Sequence, residues 1–143
     1  TIGGHSPAAL QQALAHNAML HKGSLSAQQL EAINLSVSEA TGCDYCLAAH
    51  TLMAKKAGFS SEQIHALRRG AYAEETQLDA LVKFAQTLVT TTGTLPEADV
   101  AALRNAAFSD QQVIEIISAI SAILFTNMVN RVNDTVVDFP KAD

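Results

Sequence analysis

The sequence predicts an all-α fold, a single-domain bundle of about seven helices, on three observations. Apolar residues recur at intervals of three and four along almost the whole chain. Alternating apolar and polar runs bounded by turn residues, the mark of half-buried strands, do not occur. Helix starts are written repeatedly as Ser or Thr followed three residues later by Gln or Glu, and glycines stand where the matching helices should stop.

The elements follow from that punctuation, each with the usual error of a few residues at its ends. A first periodic stretch at about residues 7 to 20 ends before Gly23. Ser26 with Gln29 opens a second at about 27 to 41, and Gly42 closes it. The third, at about 43 to 57, starts on Cys43 and stops at Gly58. Ser60 with Gln63 starts a short helix at about 61 to 69 ahead of Gly70. A fifth at about 75 to 91 runs to Gly93, and Thr94 with Glu97 predicts a sixth at about 96 to 106. Ser109 with Gln112 opens the last, at about 110 to 134. The stretches from Ser26 and from Ser109 share a pattern, as a decayed duplication or as two similar caps. The final helix carries Val113, Ile116, Ile117, Ile120, Leu124, Phe125 and Met128, apolar on more than one face, so it is expected in the centre of the core or shared with a second copy in a homo-oligomer.

Composition narrows the function. The 143 residues are 48% hydrophobic and 16% charged, enough apolar material for one core. Nine basic residues stand against 14 acidic ones for a net charge of -5, and no run of basic residues offers a footprint for nucleic acid. The apolar region from Val113 to Val132 is interrupted by Glu115, Asn127, Asn130 and Arg131, so a buried helix is expected there and no membrane partner. No export signal opens the sequence, which makes the cytoplasm the expected compartment. Two cysteines three residues apart are a poor staple for a fold, and in a reducing compartment such a pair points to chemistry.

That chemistry centres on the segment TGCDYCLAAH. Cys43 follows Gly42 and is expected in the first turn of a new helix, where free N–H groups and the positive end of the helix dipole favour a thiolate. Cys46 comes three residues later and His50 four beyond it, which on a helix places two thiols and a base along one stripe. Three readings arise from the spacing: an inert pair of small apolar residues, a metal site completed by Glu31, Glu39, Asp44 or another histidine, and a redox-active dithiol. The dithiol reading needs no further ligand and is preferred. One thiol is then expected to titrate below the ordinary value of about 8.5.

Glu31, the stretch AINLSVSEATG, and then Cys43, Cys46 and His50 at these spacings resemble the core of the AhpD-like alkylhydroperoxidases of the carboxymuconolactone decarboxylase superfamily. The resemblance is strong from about Ser26 to Leu67 and looser downstream, including Asn127 to Asn133. It implies an AhpD-like all-α bundle and thiol-dependent reduction of hydroperoxides, with no haem, flavin or metal. It also implies roles that spacing leaves open. Cys46 would attack the peroxide and Cys43 would resolve the sulfenic acid to a disulfide. Glu31 would relay a proton through water to His50, a choice over Glu39 that the residues alone do not make. A dithiol, lipoyl or thioredoxin-like, would restore the pair. Two departures stand out: Tyr45 occupies the position where the founding enzymes carry a histidine, and the chain is shorter than theirs. The alternatives are a redox-sensing or metal-binding module without turnover and a general disulfide reductase.

Overall fold

A computed structural model of the chain describes residues 5–133 and 142. Seven helices and no strands occur among them: α1 (Pro7–Leu20), α2 (Ala27–Thr41), α3 (Asp44–Lys56), α4 (Ser61–Arg69), α5 (Thr76–Thr90), α6 (Glu97–Asn105) and α7 (Asp110–Asn133). The expected boundaries agree to within a residue or two, and the reason is local. At Ser26, Ser60 and Ser109 the hydroxyl accepts the N–H three residues on, while the Gln side chain of that residue accepts the serine N–H. Two free donors per helix start are satisfied reciprocally, at a worth of about 1 kcal/mol for each cap.

The pattern at Thr94 and Glu97 fails. Pro96 is extended at φ -60 and ψ 145, so α6 starts only after it, and Pro96 takes the cap position without a side-chain bond. The ring of a proline disfavours helical backbone at the residue before it, which leaves Thr94 too far upstream to cap. Gly23 is a second correction: it lies outside the left-handed region, which Gly42, Gly58, Gly70 and Gly93 all occupy. The stop after α6 is made instead by Ala107 at φ 70, which carries no glycine signal.

Helix α2 is the centre of the fold and packs against α3, α4, α5 and α7. Its Ala32, Ile33, Leu35 and Val37 are fully buried, together with Leu67 of α4, Leu81 and Val82 of α5, and Ile116 of α7. Burial of each large aliphatic side chain stabilises the fold by about 1.5–3 kcal/mol. Because α3 lies on α2 and α7 crosses both, the turn joining α2 to α3 sits against the C-terminal half of α7.

Helix α7 is long and apolar enough, by length and composition, to cross a membrane, a property it shares with core helices of soluble proteins. Its Val113, Ile116, Ala119, Ile120 and Ile123 are buried. Asn127 is fully buried as well, donating to Ser38 Oγ at 3.1 Å and accepting from Thr41 Oγ1 at 2.9 Å. The opposite side is exposed, with Ile114, Phe125, Met128 and Val132 open to solvent. The expectation of a helix apolar on more than one face is met, with only one face inside this chain. Helix α1 contributes no buried residue and leaves Leu10, Leu14 and Met19 exposed.

Candidate redox site

The site is built on the α2–α3 turn. Gly42 ends α2 at φ 71, a left-handed conformation that only glycine adopts at little cost. A Cβ there would lie 2.7 Å from Arg131 Nη1. The next N–H, that of Cys43, reaches back to the Ser38 carbonyl at 3.0 Å, so α2 closes and α3 begins within two residues. Cys43 is extended, at φ -86 and ψ 93, and is the N-cap of α3. Sequence reasoning placed it inside the first turn. As a cap its Sγ faces the opening of the helix and accepts the Cys46 N–H at 3.3 Å. A cap atom receives the free N–H donors that a residue within the helix only approaches.

Cys43 and Cys46 are joined as a disulfide, with Cα atoms 5.3 Å apart. Both are buried, at 2% and 1% exposure. His50 stands one turn after Cys46 on the same face of α3. Its Nδ1 lies 2.8 Å from Glu31 Oε2, and Glu31 is 6% exposed. An ionised carboxylate only accepts, so this contact turns a protonated Nδ1 toward Glu31, and in the neutral ring the lone pair is then on Nε2. The faces of α2 and α3 bring Glu31 and His50 within direct hydrogen-bond reach. Glu39 is engaged elsewhere, with Arg68 Nε of α4 at 3.0 Å. The carboxylates nominated from sequence to complete a zinc site therefore include two already paired, and among the described residues no three His, Cys, Asp or Glu side chains converge as a metal-ligand set.

Two features were not visible in the sequence. Asn130 of α7 donates from Nδ2 to Cys46 Sγ at 3.6 Å. Beside the site, a cavity of about 480 Å³ opens between α1, α2, α3 and α7. Its walls mix apolar side chains, among them Leu14, Leu30, Met53, Ile123 and Phe125, with polar ones that include His16, His21, Asn34, Thr126 and His50. Of Cys43, Cys46, His50 and Glu31, only His50 lines it.

An all-helical bundle whose central helix hands over, through a glycine, to a CxxC disulfide and a histidine–glutamate pair defines an AhpD-like architecture. The chain belongs to the carboxymuconolactone decarboxylase family, whose sequence model matches residues 7–86. No curated protein matches it in sequence. Among solved structures it is similar to an Agrobacterium tumefaciens protein of unknown function, suggested to be an AhpD-type antioxidant-defence protein, at 22% identity over 98% of this chain and 97% of that one, with a TM-score of 0.90. The debrominase Bmp8 in complex with 2,3,4-tribromopyrrole is similar at 19% identity, over 94% of this chain and 73% of that one, with a TM-score of 0.83. An AhpD-core peroxidase-related protein from Ralstonia eutropha follows at 21% identity, over 92% and 71%, with a TM-score of 0.81. These likenesses establish the fold.

Proposed function

We propose that the protein is a thiol-dependent hydroperoxide reductase in which Cys46 attacks, Cys43 resolves, and His50 held by Glu31 moves the proton. The observation that carries this reading is the disulfide at the head of α3, one turn from a histidine whose other ring nitrogen is fixed by a buried carboxylate. In the reduced protein His50 Nε2 takes the Cys46 proton, and the thiolate attacks the terminal peroxide oxygen. The S–O bond forms, the O–O bond breaks, and the departing alkoxide takes the proton from His50 to leave as alcohol. The Cys43 thiol loses its proton to solvent and the thiolate attacks the Cys46 sulfenic acid, forming the S–S bond and breaking the S–O bond, and the departing hydroxide takes a proton from solvent to leave as water. A dithiol reductant of lipoyl or thioredoxin-like type is oxidised to its own disulfide as it restores the pair. The cytoplasm, where such dithiols are kept reduced, suits the cycle.

The cavity favours an organic hydroperoxide over hydrogen peroxide. A volume of about 480 Å³ lies in the range of small-ligand sites, and an apolar body seated there brings its peroxide to the side of α3 that His50 and Cys46 share. Cumene hydroperoxide is therefore expected to consume thiols at least about tenfold faster than hydrogen peroxide, since several buried methylenes are worth more than one such factor. Ala122→Phe, which fills the cavity, should remove that advantage and spare the hydrogen peroxide rate. Equal rates for the two peroxides, equally altered in the variant, would exclude the cavity as the substrate site. Slow reaction with both peroxides alongside rapid reduction of a protein disulfide would favour the general disulfide reductase.

The exposed apolar residues of α1 and α7 that do not line the cavity, including Leu10, Met19, Ile114, Met128 and Val132, are assigned to contact with further copies of the chain. Light scattering at micromolar concentration should give a multiple of the 15.1 kDa chain mass. A mass of one chain would leave that surface without a partner copy.

A further inference from the structure

Helix α7 carries Asn127, Asn130 and Arg131 at spacings of three and four, so the three side chains share one face. That face meets the turn on which the dithiol is built. Asn127 is pinned between Ser38 and Thr41, and Arg131 Nη1 donates to the carbonyls of Thr41 and Gly42, the last carbonyls of α2. Asn130 lies between them. Its Nδ2 donates to the Thr126 carbonyl at 3.0 Å and to Cys46 Sγ at 3.6 Å. Both acceptors are without a proton to give, so the NH2 end of the amide must face them, and its two hydrogens suffice for both.

The two sulfurs are thus served by different donors. The helix start supplies the Cys46 N–H to Cys43, and nothing in that arrangement supports a negative charge on Cys46. We infer that Asn130 completes the reactive centre, its side-chain amide being the hydrogen-bond donor that holds Cys46 as the thiolate once the disulfide is reduced. An amide donates more strongly to a full negative charge than to a neutral thiol, so the contact favours ionisation. The bond to Thr126 keeps the amide in place while the sulfur changes state. Other charged and titratable groups on the elements that meet at Cys46 include His50, Asp44 and Tyr45 on α3, Glu31 on α2, Arg131 on α7 and Cys43 itself.

The inference rests on the proposed role of Cys46, and its test is chosen to be independent of peroxide. In a Cys43→Ser background, Cys46 is the only thiol and its alkylation by iodoacetamide can be followed against pH. Asn130→Leu should move the midpoint upward and slow alkylation at pH 7 about tenfold, with the rate at high pH within about twofold of the parent. The isosteric Asn130→Asp, which places a carboxylate against the sulfur, should move it further in the same direction. Asn127→Ala serves as the structural comparison and should lower the melting temperature without moving the midpoint. An unchanged midpoint in both Asn130 variants would overturn the inference, and so would an equal shift in Asn127→Ala, which would trace the effect to displacement of α7. An ordinary midpoint in the parent that still rises in Asn130→Leu would keep the donor and refute the activated nucleophile.

Discussion

Cys46→Ser is expected to be inert toward hydroperoxide, whereas Cys43→Ser should react once and stop with a sulfenic acid on Cys46. The two cysteines compete for the role of nucleophile on physical grounds. Cys43 caps α3 and receives the Cys46 N–H, a placement worth up to about 2 kcal/mol to a thiolate at a partly buried helix end. Cys46 stands one turn from His50, and a positioned base contributes about 3 to 5 kcal/mol to the attacking step, corresponding to its usual rate factors. The base should win, and Asn130 adds to the same side. The cap favours Cys43 as the resolving thiol, since a stabilised thiolate is available at neutral pH without help from His50. After a single pulse of cumene hydroperoxide, dimedone should label Cys46 in the Cys43→Ser protein. Label on Cys43 in Cys46→Ser, with none in the other variant, would reverse the assignment.

The second large effect is expected at His50. Replacement by Ala should slow sulfenic acid formation at pH 7 by about 100-fold to 10,000-fold, the range for loss of a general base. Glu31→Gln keeps the length and removes the charge that orients the imidazole, so a loss of about 10-fold to 100-fold is expected. Glu39→Gln should cost little, because Glu39 lies with Arg68 and away from the site. His50→Ala also leaves the buried Glu31 carboxylate without its partner, at a stability cost of about 1–3 kcal/mol or more. His50→Gln provides the comparison, restoring a donor near Glu31 without a base. A rate that recovers with His50→Gln would make the histidine a structural partner of Glu31 and no more. Loss of rate in Glu39→Gln with none in Glu31→Gln would place the carboxylate on the wrong turn of α2.

What could be read from the sequence was what is local. Helix starts at Ser26, Ser60 and Ser109 are decided within four residues, and so is the stop at Gly42, which is why their positions were legible. The failure at Thr94 is local too: Pro96 sets the backbone between that threonine and the helix it was expected to cap. The spacing of Cys43, Cys46 and His50 was readable because a single helix carries it. The choice between Glu31 and Glu39 was not, since it depends on which helix lies against each side of α2. Eight residues advance a helix by two full turns and about 80° more, enough to turn Glu39 from α3 toward Arg68 of α4. Asn130 and the cavity were invisible for the same reason. An asparagine late in an apolar helix carries no mark of the sulfur it will meet, because periodicity predicts a face and not its neighbour.

The measurement closest to the central claim is stoichiometric. The fully reduced protein is mixed with one equivalent of cumene hydroperoxide in the absence of any other oxidant, and both products are quantified. The account predicts an intact mass lower by two hydrogens, with the Cys43–Cys46 disulfide restored and one equivalent of cumyl alcohol released. A chain that keeps both thiols while the hydroperoxide persists would contradict it.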